Sequence, residues 1–290
     1  MKYYVIDAFT ETAFGGNPAG VVVYESLDAA FMQKFAAEVR FSETAFIRPM
    51  EKGQFEIRFF TPTEEVDLCG HATIASFQAL MDLGLVSNNG AYRMETKAGS
   101  LPIEIRDSFI MMEQAKPQFG KQYQTQRELE ELADLFRIPV SWIGDDGYRL
   151  SPQAVSTGLW DILIPLRSEE ILMQLDPDFP KIASYSAREN VGGIHAFALQ
   201  NSEVLASCRN FGPLLGIDEE AATGTSNGAL TGYLHAHHVI SEFDRPYQLL
   251  QGKSMKRPSI ITTKLIRRED PRVMAGGKAV ILSRGELAAL

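Results

Sequence analysis

Apolar and polar positions divide the chain into short strand-like runs punctuated by a few helices. Residues 3–9 read as a strand. A Gly/Pro corner, Gly15-Gly16-Asn17-Pro18, follows, and the β-branched run 21–24 predicts a second strand. Leu27, Phe31, Phe35 and Val39 recur at helical spacing with Asp28 placed near the start, which predicts a helix over 27–39. Strands are predicted over 44–47 and 55–60, a helix over 71–83 that Gly84 stops, and strands over 91–96, 101–105 and 109–113. Residues 117–125 are polar and poor in apolar side chains, and read as a linker. A charged helix over 126–137 comes next, after which strands around one long helix begin again. The pattern predicts two domains, 1–116 and 117–290, with the last strand able to return to the first.

An internal repeat supports the division. Ala45-Phe46 recurs as Ala196-Phe197, and Arg58-x-Phe60-x-Pro62 as Arg209-x-Phe211-x-Pro213, both 151 residues later. Gly70 then matches Gly224, and Leu85-Val86-Ser87 matches Val239-Ile240-Ser241, at an offset of 154. The helices of the two copies share a property: neither 71–81 nor 221–240 contains Asp, Glu, Lys or Arg. A helix without charge on any side is buried all round. Among many short strands, its natural place is inside a sheet that curls about it. The expected fold class is therefore α+β, with two pseudo-symmetric domains, each a barrel-like mixed sheet wrapped around a central helix.

Composition narrows the function classes. The 290 residues are 45 % apolar and 22 % charged, as in ordinary globular proteins, with a formal charge of −9. That balance argues against nucleic acid as a partner, because phosphate neutralisation needs clustered Lys and Arg. Cys69 and Cys208 are too few for a disulfide framework and fit a reducing compartment. Asp7 and Glu11 interrupt any export signal, and 221–241 is too polar for a membrane span. The expectation is a cytoplasmic protein with no membrane partner.

Candidate chemistry gathers at the two uncharged helices. Their starts, Cys69-Gly70-His71-Ala72-Thr73 and Ala222-Thr223-Gly224-Thr225-Ser226, offer unpaired backbone N–H groups to an anion. Burial and the helix dipole would both keep His71 neutral. Glu43 precedes an apolar strand, and at the 151-residue offset its counterpart is Ile194, so this carboxylate occurs in one copy only. Glu219 and Glu220 precede the second helix start. His235, His237 and His238 suit helix C-capping, and no Cys, His or Asp spacing predicts a metal. Gly252-Lys253-Ser254 lacks the glycine a phosphate loop needs, so no nucleotide cofactor is expected.

The ordered landmarks Asp7-Ala8-Phe9, Gly16-Asn17-Pro18-Ala19-Gly20, Ser42-Glu43-Thr44-Ala45-Phe46 and Arg58-Phe59-Phe60-Thr61-Pro62 resemble the phenazine-biosynthesis PhzF-like family, within the diaminopimelate-epimerase-like fold. So do Leu68-Cys69-Gly70-His71-Ala72-Thr73, Ser156-Thr157-Gly158, Arg209-Asn210-Phe211-Gly212-Pro213, Glu219–Thr225, Gln251-Gly252 and Gly276-Gly277. The resemblance implies a cofactor-independent isomerase that moves a proton between carbons of a small anionic carboxylate. It implies a site between the domains and a homodimer. The catalytic residues would be Glu43, His71 and Glu220, with Gly70, Ala72, Thr73, Gly224, Thr225 and Ser226 holding substrate. Related epimerases use two opposed thiols. Here Cys69 faces a threonine equivalent, Thr223, which disfavours racemisation or epimerisation at one carbon and leaves Cys69 as a small buried residue. A non-catalytic binder of a metabolite or protein is the remaining alternative.

Overall fold

The computed structural model describes residues 1–51, 53–200 and 202–287. The chain divides into two compact units, Met1–Glu113 with Gly276–Leu290, and Gln114–Ala275.

The first unit runs β1 (Lys2–Ala8), β2 (Asn17–Val23), α1 (Ala29–Val39), β3 (Thr44–Pro49), β4 (Gln54–Phe60), β5 (Glu65–Val66), α2 (Gly70–Asp82), β6 (Gly90–Thr96), β7 (Gly99–Arg106) and β8 (Phe109–Glu113). The second runs β9 (Gln118–Gln122), α3 (Gln126–Asp134), β10 (Gln153–Ser156), β11 (Trp160–Pro165), α4 (Glu169–Gln174), α5 (Phe179–Glu189), β12 (Gly193–Leu199), β13 (Val204–Gly212), β14 (Ile217–Glu220), α6 (Gly224–Ala236), β15 (Pro246–Gln251), β16 (Ser259–Ile266) and β17 (Arg272–Gly277). The chain re-enters the first unit at Gly276, within β17, and continues there as β18 (Ala279–Glu286).

In the first unit the strand order is β18-β1-β2-β3-β4-β6-β7-β8, antiparallel except for β2/β3 and β4/β6. Each parallel pair needs a helical crossover, and α1 and α2 supply them. Helix α2 touches β1, β2, β3, β8 and β18, strands from both ends of that order, so the sheet curls about it. Residues from His71 to Phe77 are buried, as a helix without charges requires. Gly84, at φ 69°, ends it as expected. The Gly/Pro corner forms too. Gly16 sits at φ 61° where a Cβ would lie 2.1 Å from the Ala8 carbonyl oxygen, so only glycine fits. Asp7 secures the same corner by accepting from the Phe14 N–H at 2.8 Å. Pro18 lies inside β2 rather than before it, opposite Asp7.

The second unit repeats the plan: order β9-β10-β11-β12-β13-β15-β16, with β11/β12 and β13/β15 parallel. Helix α6 touches β10, β11 and β16. On the sheet's other side, Leu132, Phe136, Leu172 and Ile182 from the helical segments pack against Ile162, Ile194 and Phe211. Both units are thus α+β, with one mixed sheet around one central helix, as the resemblance implies.

A matched ion pair marks the repeat. Arg58 donates through two nitrogens to the Glu65 carboxylate at 2.7 and 2.8 Å, and Arg209 does the same to Glu219 at 2.9 and 2.8 Å. Each guanidinium also lies over a phenylalanine two residues on, Phe60 and Phe211. Strand register corrects one detail. Thr44 pairs with Phe60 and Ile194 with Phe211, so β3 and β12 align at an offset of 150 rather than 151. The structural counterpart of Glu43 is then Gly193, where a Cβ would lie 2.3 Å from the Phe211 carbonyl oxygen.

The polar segment 117–125 is not a bare linker, since it contains β9, which pairs with β10. All five residues of β9 are exposed, so the apolar alternation that reveals strands is missing. The two units meet in sequence at 113/114, three residues before the expected boundary at 116/117. Among the described residues, no helix is long and apolar enough to cross a membrane.

Candidate active site

In the first unit the turn before β3 and the first turn of α2 bring the side chains of Glu43, Cys69 and His71 together. Glu43 immediately precedes Thr44, and the buried run Thr44–Ile47 fixes its backbone. His71, the second residue of α2, is 3 % exposed. The Glu43 Oε2 to His71 Nε2 distance is 3.2 Å, and Ser42 Oγ lies 3.3 Å from the same nitrogen. On the other side of the ring, Cys69 Sγ is 3.5 Å from Nδ1 and 3.9 Å from Nε2. The donor atoms of Glu43, Cys69 and His71 all lie within 4.8 Å of one another.

Burial pulls the His71 imidazole below its ordinary pKa, and the Glu43 carboxylate opposes that shift without cancelling it. The ring is therefore neutral at neutral pH, as expected of it. Despite its nearness to His71, Glu43 Oε2 is shut off from solvent without a hydrogen bond. A carboxylate oxygen in that condition keeps its acceptor capacity for something else.

The start of α2 has no side-chain cap, since Cys69 at the N-cap makes none. Gly70, Ala72 and Thr73 stand there as expected, but the Thr73 hydroxyl is committed to the Cys69 carbonyl at 2.7 Å. The Thr73 N–H donates to the same carbonyl at 3.0 Å, so of the three only the Gly70 and Ala72 backbones are offered to a ligand.

The start of α6 is likewise without a side-chain cap. Glu220, the last residue of β14, accepts from Thr223 Oγ1 at 2.9 Å. Gln251 is wholly buried and holds this turn with four hydrogen bonds. Its oxygen accepts from the Thr223 N–H and from Asn227 Nδ2, and its amide donates to the Glu220 carbonyl and Thr223 Oγ1. The Thr225 carbonyl accepts from Thr157 Oγ1 at 2.9 Å, and Gly224 is buried.

Ser226 turns inward. Its hydroxyl donates to Asp161 Oδ2 at 2.5 Å and accepts from Asn210 Nδ2 at 3.1 Å. Asn210 also donates to His195 Nδ1 at 3.2 Å, so the neutral His195 carries its proton on Nε2. Burial holds His195 down to about 3 and pushes Asp161 up to about 6, the latter opposed by the Ser226 hydrogen bond. His195 is thus a hydrogen-bonded structural residue, and the Ser226 side chain is already engaged. His235 Nδ1 lies 3.2 Å from the Ile240 carbonyl, beyond the end of α6, and His237 stands at the C-cap with Nε2 3.4 Å from Gln153 Oε1, so neither ring caps the helix's last carbonyls as expected.

Asp161, Asn210 and Gln251 escaped the sequence reading, although Arg209-Asn210 and Gln251-Gly252 stood among its landmarks. An aspartate inside the apolar strand Trp160–Pro165 was the available signal. Cys69 was read as packing only, yet its sulfur touches the His71 ring.

The family model for phenazine biosynthesis-like proteins, PhzC-PhzF, matches residues 6–285. An uncharacterized isomerase of Clostridium acetobutylicum is 35 % identical, the match covering 98 % of this chain and 97 % of that one. The trans-2,3-dihydro-3-hydroxyanthranilate isomerase of Pseudomonas fluorescens is 30 % identical over 99 % of both chains. Among solved structures, a PhzF-family phenazine biosynthesis protein of Bacillus anthracis superposes with a TM-score of 0.88 at 29 % identity, covering 100 % of this chain and 99 % of that one. By sequence and by fold, the chain belongs to the phenazine biosynthesis-like PhzC-PhzF family of isomerases.

Proposed function

We propose that this isomerase moves a proton between carbons of a small carboxylate-bearing substrate without a cofactor, and that Glu43 takes and returns the proton. The observation that carries the reading is the Glu43 oxygen left without a hydrogen bond beside a neutral, buried His71. A base needs an unspent lone pair within reach of the C–H it attacks. A neutral imidazole next to it can accept or donate a hydrogen bond as the carboxylate gains and loses the proton. The Gly70 and Ala72 N–H groups at the start of α2 would hold the substrate's carboxylate, a charge that a helix start favours. Glu220, tied to Thr223, is the second unit's candidate for acid/base work. Thr223 offers no thiol, and its hydroxyl is shared between Glu220 and Gln251, which weighs against two-thiol epimerisation.

The test is solvent-deuterium exchange with a panel of small carboxylates, beginning with the substrate named for the Pseudomonas fluorescens relative. Deuterium arriving at a different carbon from the one deprotonated supports the proposal. Exchange confined to one carbon would make the protein an epimerase, and no exchange with any compound would make it a binder. With an active compound, Glu43→Gln should slow exchange by about 10²–10⁴-fold, the usual worth of a general acid/base. Equal rates in the two proteins would remove Glu43 from the mechanism. A homodimer belongs to the same reading, and light scattering that finds only the 32.2 kDa monomer would overturn that part.

A further inference from the structure

We infer that Gln251 is a positioning residue for the Glu220 carboxylate, acting through the Thr223 hydroxyl. This rests on the reading of Glu220 as an acid/base group. Gln251 ends β15, a strand held between β13 and β16, and its side chain is wholly buried. At Gly252, φ 78°, a Cβ would lie 2.6 Å from the Ala221 carbonyl oxygen, so glycine is what lets β15 close on the turn after Glu220. Two backbone partners fix the orientation of the Gln251 amide. Its oxygen meets the Thr223 N–H at 3.2 Å, and its nitrogen meets the Glu220 carbonyl at 2.7 Å.

The same nitrogen donates to Thr223 Oγ1 at 3.1 Å. A hydroxyl that accepts on one side turns its proton to another, and the acceptor there is Glu220 Oε2 at 2.9 Å. Thr223 stands at the N-cap of α6, where a threonine ordinarily turns its oxygen to the N–H of the second or third helical residue. It makes no such bond. The hydroxyl is held between Gln251 and Glu220 instead, so Gln251 keeps the threonine on the carboxylate and off its own helix. Without the amide, capping competes for the hydroxyl, and Glu220 loses a hydrogen bond that favours its charged form. Gln251 hydrogen-bonds the Glu220 backbone and not its carboxylate, so its effect on that group travels through Thr223.

Carboxyl ¹³C NMR of the substrate-free protein is the test, with the Glu220 signal identified by its loss in Glu220→Gln. Thr223→Val should raise the pH at which Glu220 titrates by about one unit, the worth of a hydrogen bond to a charged group. Gln251→Met should move it in the same direction, and the double variant should match Thr223→Val alone. Thr223→Ser keeps the hydroxyl and should titrate as wild type. Glu219, the charged neighbour on β14, is tied to Arg209 in every one of these proteins and cancels in the comparison. A Glu220 midpoint unmoved by Gln251→Met, or additive shifts in the double variant, would overturn the inference. Should Gln251→Met fail to fold, Thr223→Val against Thr223→Ser decides, and equal midpoints there overturn it too. With any carboxylate that the wild type turns over, Gln251→Met should lower kcat about tenfold or more and leave KM nearly unchanged. A raised KM at unchanged kcat would count against positioning. A wild type that turns over nothing removes the isomerase reading, while the titration still decides whether Gln251 acts on Glu220.

Discussion

Replacing Asp161 by Asn would expose an electrostatic balance inside the second unit. The buried Asp161 carboxyl is pushed from 3.8 up to about 6, chiefly by burial, so the folded chain holds its proton to a higher pH than the unfolded one. Its contribution to stability is full below about pH 4 and is lost as pH rises to about 6. Each pH unit in that window costs about tenfold in the folding equilibrium, or roughly 3 kcal/mol overall. His195 has the opposite sign. Burial pulls it from 6.5 to about 3, so its contribution is full above about pH 6.5 and is lost as pH falls. Between about pH 4 and 6, unfolding releases a proton from Asp161 and takes one up at His195, and the two slopes oppose each other. Asp161→Asn keeps an oxygen for the Ser226 hydroxyl and removes one slope. Urea unfolding of both proteins at pH 4, 5, 6 and 7 should show the variant gaining on wild type by about tenfold per pH unit up to pH 6, then levelling. Taking the difference cancels the other titrating groups. A difference that stays flat with pH would refute the reasoning.

The remaining predictions concern packing and backbone. Arg209→Met should lower urea-unfolding stability by about 3–5 kcal/mol, because Glu219 loses both fork bonds while 13 % exposed. Arg58→Met should cost visibly less, since Arg58 is 27 % exposed and Lys97 still reaches Glu65 at 2.8 Å. Gln251→Leu strands the Thr223 N–H and takes from the Asn227 amide one of its two acceptors, and should cost at least about 2 kcal/mol in the same assay. Gly16→Ala meets backbone at φ 61° and should cost about 3 kcal/mol or more, whereas Gly84→Asn, at φ 69° with nothing within 4 Å, should stay within about 1 kcal/mol.

The central helices were legible because a run of a dozen residues without charge has few other uses, and the repeat was legible because Arg, Phe and Pro recur in fixed order. Strands β5 and β14 were too short to show a period, and β9 buries none of its side chains. The matching Ala-Phe pairs concealed a one-residue register shift, since small apolar residues fit either face of a buried strand. Register supplies a firmer reason for the asymmetry of Glu43 than sequence did: backbone occupies the space where Gly193 would carry a side chain. Glu43 and His71 stood out by chemistry and position. The chain linking Asp161, Ser226, Asn210 and His195 did not, because hydrogen bonds between residues 15 to 65 apart leave no periodic trace.

Strand β18 pairs with β1 along its whole length, Lys2 to Glu286 and Ala8 to Ala279. During synthesis, β1 therefore emerges long before the strand that covers its outer edge, and all of the second unit is made in between. That second unit is continuous in sequence and needs no later segment to complete it. The first unit waits, with β1 paired only to β2 and its other edge bare, the condition that invites pairing with another chain. Its slow step is a contact between residues nearly the full chain apart, which disfavours rapid folding. A chain broken after Lys278 would keep Glu43, Cys69 and His71 in full yet leave α2 without one of the strands that enclose it. Aggregation of such fragments, rather than simple loss of the ending, is the hazard this topology carries.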